Sequence, residues 1–189
     1  MTKNKKQKII LHVCCAPCAT AVREILDNGY EIEFFFSNSN IYPREEYDKR
    51  LAEVQKLADK FKINLIIGDY DHDDWKKAII GKENLPENSA RCEICFKKRL
   101  EETAKLAKNK KENLFTTTLT ISPHKNYNLI NKIGLDIAKI FNVNFLDKDF
   151  KKNNGYQRSL ELSKEFNLYR QNYCGCEYSI NNKIAKRAK

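Results

Sequence analysis

Short apolar runs in this chain alternate with longer stretches of helical periodicity, and that alternation constrains the fold more than any other feature. Residues 8–13 (KIILHV) read as a strand buried on both faces, as in a parallel sheet. Residues 19–28 carry a helical pattern that Gly29 is placed to end. Residues 31–36 read as a second strand. Pro43 is placed to open a long helix over residues 44–61, with Tyr47, Leu51, Val54, Leu57 and Ala58 on one face. Residues 63–67 give a third strand, followed by an acidic loop and a short helix around residues 75–80. A polar connection over residues 81–91, containing Pro86, leads into a helix over residues 92–108. Residues 113–118 give a fourth strand, residues 127–141 a helix and residues 144–146 a short last strand. The tail from Ser159 reads as helical and then irregular around residues 173–176. Strands alternating with helices predict an α/β fold, a mainly parallel sheet flanked by helices. An apolar share of 41% supplies a core for a single domain over residues 1–189, with residues 153–189 as a C-terminal helical extension.

In such folds, functional groups gather at the carboxyl ends of the strands. The seven cysteines fall into three tight groups: Cys14, Cys15 and Cys18; Cys92 and Cys95; Cys174 and Cys176. The first group follows the first strand. Cys92 and Cys95 sit three apart in the first turn of the expected helix, so their sulfurs share a face, and a helix N-terminus favours thiolate. Cys14 and Cys15 are adjacent at a strand-to-helix corner, an awkward pair for one zinc but able to reach different irons of a cluster. Four thiolates complete an iron–sulfur cluster. Paired CxxC units of the zinc-ribbon type are absent, which weakens a structural zinc without removing it. Cys174-Gly175-Cys176 can close a small, strained and exchangeable disulfide, suited to a two-electron couple; metal ligation and plain thiols are the alternatives. Cys18 fits as an extra ligand, a nearby thiol or a small residue at a helix start.

Asp69, Asp71, His72 and Asp73 follow the third strand, where a second metal, a cationic group or helix capping are the available roles. Ser122, His124 and Lys125 follow the fourth strand and precede a helix, a setting that suits an anion as well as a plain turn. Thirty-five Lys and Arg against 25 Asp and Glu give a formal charge of +10, which favours polyanionic partners such as RNA. The basic residues 1–8 precede an apolar stretch (residues 9–13) too short for a secretory signal, and no run reaches transmembrane length. A cytoplasmic protein with no membrane partner is expected, where grouped cysteines read as metal or redox groups.

Three strings together carry a resemblance that spans nearly the whole chain. They are His12-Val13-Cys14-Cys15-Ala16-Pro17-Cys18, Arg91-Cys92-Glu93-Ile94-Cys95 leading into Arg99-Leu100-Glu101-Glu102-Thr103-Ala104, and Tyr169-Arg170-Gln171-Asn172-Tyr173-Cys174-Gly175-Cys176-Glu177-Tyr178-Ser179. With Phe115-Thr116-Thr117-Thr118-Leu119 and Ser122-Pro123-His124-Lys125, they resemble the QueH-type epoxyqueuosine reductases. Residues 37–43 (SNSNIYP) depart from the expected pattern. The resemblance implies a Rossmann-like fold of the nucleotide α-hydrolase and PP-loop group, with CCAPC where a phosphate-binding loop would stand. No ATP use is expected. It implies removal of the epoxide oxygen of epoxyqueuosine at the wobble position of tRNA, with electrons from an unidentified donor. By the same resemblance Cys14, Cys15, Cys92 and Cys95 hold a [4Fe–4S] cluster, and Cys174 and Cys176 form a redox-active pair. A further iron is implied nearby, with Cys18 and the acidic loop as its candidates, and His124 or a carboxylate as proton donor. Two competing readings are a PP-loop tRNA-modifying enzyme, which would need a Ser-Gly-Gly-x-Asp-Ser-like loop, and a non-catalytic, zinc-stabilised RNA-binding module.

Overall fold

The computed structural model describes residues 6–179; the final ten residues of the expected C-terminal extension lie outside the described residues. Five strands form one parallel sheet: β1 (Gln7–His12), β2 (Tyr30–Phe36), β3 (Leu65–Ile67), β4 (Leu114–Thr117) and β5 (Asn144–Phe145). Their order is β3-β2-β1-β4-β5. The order reverses between β1 and β4, and outside the carboxyl ends of that pair lies the crevice where doubly wound folds bind ligands.

The crossovers are α1 (Ala16–Asp27), α2 (Arg44–Phe61), the pair α3 (His72–Ala78) and α4 (Ala90–Asn109), and α5 (Tyr127–Phe141); α6 (Gly155–Glu165) follows β5. The apolar run of β1 is explained by burial on both sides. Ile9, Leu11 and Val13 join Phe34 and Phe36 of β2 in a core that includes Leu26 of α1, Val54 and Leu57 of α2 and Leu162 of α6. Ile10 and Phe35 face the opposite core, built with Leu100 of α4 and Ile133 of α5. Alternation along β1 therefore puts His12 on the α4 side, fully buried, one residue before the cysteine corner ends the strand.

Several elements differ in extent from the sequence expectation. Helix α1 starts at Ala16 because Pro17 sits in its first turn, where no N–H bond is lost. Helix α3 starts at His72, capped by the Asp71 carboxylate, which accepts the Asp74 N–H at 2.8 Å. Thr118–Ile121 form a 3-10 turn that ends β4, with the Thr117 hydroxyl accepting the Leu119 N–H at 3.1 Å. Helix α6 starts at Gly155, where a Cβ would stand 1.9 Å from the Phe150 carbonyl oxygen. Among the described residues no helix is long and apolar enough to cross a membrane.

Candidate metal and redox site

Cys14 and Cys15 form the corner between β1 and α1, and Cys18 returns to them from the first turn of the helix. Their three sulfurs lie within 4.8 Å of one another, with Cys14 Sγ 3.8 Å from Cys15 Sγ; this group can bind a metal. Thr118 fixes the corner from the 3-10 turn that ends β4. It accepts the Cys14 N–H at 3.0 Å and donates its hydroxyl to Cys14 Sγ at 3.2 Å. Hydrogen bonds from Cys15 and Cys18 hold the Cys14 thiol well below its ordinary pKa despite burial, with Lys125 and Arg99 adding to the effect. Burial, with the Cys14 contact, pushes Cys15 up to about 12. Bonding to Cys14 and Cys15, then burial, raises Cys18 well above its usual range. The corner thus concentrates one thiolate among three sulfurs.

Cys92 and Cys95 face inward from the start of α4. The Asn88 N–H reaches Cys92 Sγ at 3.3 Å. Burial raises the Cys92 thiol against that hydrogen bond and pushes Cys95 up to about 12 against the field of Arg99. Burial therefore outweighs the thiolate preference expected at a helix N-terminus. Cys174 and Cys176 add negative field at Cys95, so the tail pair lies within electrostatic reach of α4.

The Cys174-Gly175-Cys176 turn is held by α2 and by the segment after β2. Arg50 donates to the Cys174 carbonyl at 3.1 Å and to the Tyr173 carbonyl at 3.4 Å, and pairs with Glu46 at 2.7 Å. The Tyr42 N–H donates to the Gly175 carbonyl at 2.8 Å. Gly175 has φ +115°, and a Cβ there would meet Arg50 Nη1 at 2.8 Å, so both backbone and space demand glycine. Cys176 is buried against Trp75 and Ile79.

Two cations join the three groups. Arg99, four residues beyond Cys95 on α4, is buried and forms no ion pair with any described carboxylate. Its Nε–H donates to His12 Nε2 at 3.3 Å, and its Nη2 to Asn38 Oδ1. The same Nε2 also lies 3.3 Å from the Ser37 carbonyl, and Nδ1 faces the Thr117 hydroxyl at 2.9 Å. Burial, then Arg99, lowers His12 to about 3, keeping it neutral. Asn38 closes the network by donating to the Val13 carbonyl at 2.9 Å. Lys125 is the second cation. Burial works against its charge, but Cys174, Cys14 and Cys18 outweigh burial and hold it above its ordinary value.

Among the described residues, Cys14, Cys15 and Cys18 alone come together as a three-ligand group; Cys92, Cys95, Cys174 and Cys176 lie outside it, within reach of shared electrostatic fields. Around them stand Arg99, His12, Thr118 and Arg50, to which the sequence assigned no individual role. Arg99 was findable, since it lies on the helical face of Cys92 and Cys95. Of the Ser122–Lys125 segment, Lys125 reaches the cysteines. His124 is exposed, and its backbone N–H bonds Ser122 Oγ at 3.3 Å. No carboxylate or imidazole of residues 69–74 joins the Cys14, Cys15, Cys18 group.

A donor set made only of sulfur suits zinc or iron–sulfur and disfavours hard, oxygen-seeking ions. An isolated buried cation is costly, so Arg99, buried without a carboxylate partner, and the half-buried Lys125 fit an anionic group of thiolates between them. The residues present therefore fit a thiolate-bound metal.

Fold and site together define a doubly wound α/β protein whose ligand crevice is lined with thiols. A likeness to a predicted subunit of tRNA methyltransferase from Methanocaldococcus jannaschii supports that fold, with a TM-score of 0.53 and 14% identity over 95% of this chain and 88% of the other. The family described as Epoxyqueuosine reductase QueH matches residues 9–182. Proteins of that name from Streptococcus pyogenes serotype M1 and Thermotoga maritima are each 41% identical to this chain. The first match covers 94% of this chain and 72% of the relative, the second 95% and 94%. The chain belongs to the epoxyqueuosine reductase QueH family.

Proposed function

We propose that this chain is an epoxyqueuosine reductase that removes the epoxide oxygen of epoxyqueuosine in tRNA to give queuosine. The observation that carries the reading is the Cys14, Cys15 and Cys18 group at the switch point, with Cys95 and Cys174 near enough to share the fields of Arg99 and Lys125. The +10 charge of the chain suits a tRNA substrate, and phosphate contacts should make its binding fall with salt.

Cys14, Cys15, Cys92 and Cys95 would hold a [4Fe–4S] cluster, and Cys18 a further iron beside it. When bound, these groups supply one-electron transfer and Lewis acidity. The rest of the chemistry belongs to the chain. Opening an epoxide to an alkene consumes two electrons and two protons and releases water. Oxidation of Cys174 and Cys176 from two thiols to a disulfide releases two electrons and two protons, so the couple balances. An external reductant then restores the thiols.

The Cys174-Gly175-Cys176 turn suits that role because its position rests on Arg50 and Tyr42, which bind backbone atoms and not the sulfurs. Lys125 holds a proton at Nζ among Cys14, Cys18 and Cys174, beside the exposed His124, so either can supply the departing oxygen. Arg99 fixes His12 and Asn38 and leaves its positive charge facing Cys14 and Cys95.

The test is anaerobic purification followed by metal and sulfide analysis and incubation with epoxyqueuosine-bearing tRNA and a chemical reductant. Iron with sulfide, and conversion to queuosine, are expected. Zinc without iron or sulfide, with the epoxide intact, would leave the zinc-stabilised RNA-binding reading in its place.

A further inference from the structure

The carboxyl ends of β1 and β2 meet α4 at one side chain, Arg99. It is 5% exposed and stands one turn beyond Cys95 and two beyond Cys92, on the same face of the helix. From there it crosses to both strands. Its Nε–H reaches His12, two residues before Cys14, and its Nη2 reaches Asn38 Oδ1. Asn38 is fully buried and donates to the Val13 carbonyl at 2.9 Å, while His12 also faces the Thr117 hydroxyl of β4. One guanidinium thus ties the helix that carries Cys92 and Cys95 to the strand that leads into Cys14 and Cys15. A guanidinium suits this place: its fork spans two acceptors and its charge is permanent.

Those hydrogen bonds explain where Arg99 sits, and they leave its charge unanswered. Asn38 is neutral, and burial, then Arg99 itself, keeps His12 neutral. The carboxylates beside it on α4, Glu101 and Glu102, pair with Lys97 and Lys105, and Asp74 pairs with Lys98. Arg50, the other cation at the site that is nearly as buried, has Glu46 at 2.7 Å. A buried charge without a counter-ion is costly, so its place in the fold calls for an anion nearby. The groups within its field are thiols. Arg99 adds to the Cys15 and Cys18 hydrogen bonds that lower Cys14, and it opposes the burial that raises Cys95.

We propose that Arg99 is the internal counter-charge of the cysteine site and sets the reduction potential of the metal group that Cys14, Cys15, Cys92 and Cys95 hold. The inference rests on the reading of those four cysteines as cluster ligands. Four thiolates make such a group anionic, and each electron added makes it more so. A fixed cation beside it, shielded from water, favours the reduced form; net charge and burial are among the levers that set such potentials. Arg99 is therefore a positioning residue that acts through the sulfurs, and its charge is the part that matters.

The experiment is a dye-mediated redox titration of the visible absorption of anaerobically purified, iron-loaded protein, wild type against variants. Arg99→Gln keeps hydrogen-bonding groups and drops the charge. It should make reduction about tenfold harder, a fall in midpoint of about 59 mV for one electron. Arg99→Lys keeps the charge and loses the fork, and its midpoint should stay close to wild type even where iron content falls. Asn38→Asp leaves the arginine in place and sets a carboxylate against it. It should lower the midpoint as Arg99→Gln does, and it decides should Arg99→Gln fail to fold. An unchanged midpoint in iron-loaded Arg99→Gln or Asn38→Asp, or an equal fall in Arg99→Lys, would overturn the proposal and leave Arg99 a structural pin. A wild-type protein without iron, sulfide or reducible absorption would instead sink the cluster reading beneath it.

Discussion

The Cys14-Cys15 corner and the Cys174-Gly175-Cys176 turn belong to one site but are held in different ways. The corner is part of the sheet. It continues a strand paired on both sides, is locked by Thr118 from the turn that ends β4, and leads directly into α1. The tail turn belongs to no helix or strand and is held from outside, through its carbonyls, by Arg50 and the Tyr42 amide. A fixed metal ligand needs the first kind of support. A thiol pair that forms and breaks a bond needs the second, because its sulfurs must shift while its backbone stays placed. The side chains are identical and the supports are not, which is the ground for expecting a ligand role at the corner and a redox role at the turn.

The largest effect is expected at the corner. Cys14→Ser removes a ligand directly and should lower metal affinity by more than about 100-fold, the upper range for losing a mere supporting contact. Iron analysis after gel filtration checks it. Should iron stay bound, the corner is not the ligand base.

Arg50→Met comes next. It leaves the largely buried Glu46 carboxylate with the Tyr169 hydroxyl but without its cation, and frees two tail carbonyls. Breaking such a buried pair costs about 3–5 kcal/mol, readable by denaturant titration. The corner should keep its iron in the fraction that remains folded, while Cys174 and Cys176 alkylate faster.

Gly175→Ala should act on the turn alone. A side chain at φ +115° and a clash with Arg50 cost about 1–3 kcal/mol locally. Epoxide reduction should fall with iron content and overall stability close to wild type. Loss of iron would show that the turn also builds the metal site.

The smallest effect is a pH dependence of the tail's hold. Glu53 on α2 accepts the Tyr169 N–H at 2.9 Å. Burial raises its carboxyl, but the Lys56 ammonium and the Tyr169 amide outweigh burial and hold it below its ordinary value. A depressed acid stabilises the fold above its unfolded pKa and loses that contribution as pH falls through the folded one. Tail protection, read by hydrogen exchange, should therefore weaken below about pH 4.3, by about 0.5–1.5 kcal/mol. Glu53→Gln should remove the pH dependence.

Much of the layered fold was legible because β1 from Ile9 onward and the second half of β2 are apolar on both faces and the helices keep an amphipathic stripe. The helix starts at Ala16 and Gly155 were less so. The first three residues of α1 carry no apolar periodicity, and Gly155 answers a close approach of Phe150 that appears only after folding. The cysteine site was legible as residue types, and the rule that ligands gather at strand ends placed the first of its three groups, Cys14, Cys15 and Cys18. The anchoring of the third was not. Arg50 reads as one more charge on a solvated helix until a contact across 124 residues makes it the hold on Cys174. Arg99 and Lys125 likewise acquire meaning only from the thiols they face.

The central claim is that one site uses its cysteines in two ways, and cluster content across single variants tests it most directly. Iron, sulfide and visible absorption should be lost with serine at Cys14, Cys15, Cys92 or Cys95. They should survive serine at Cys174 or Cys176, with turnover abolished. Cluster loss on substituting Cys174 or Cys176, or a cluster that survives loss of Cys92 and Cys95, would contradict the division of roles.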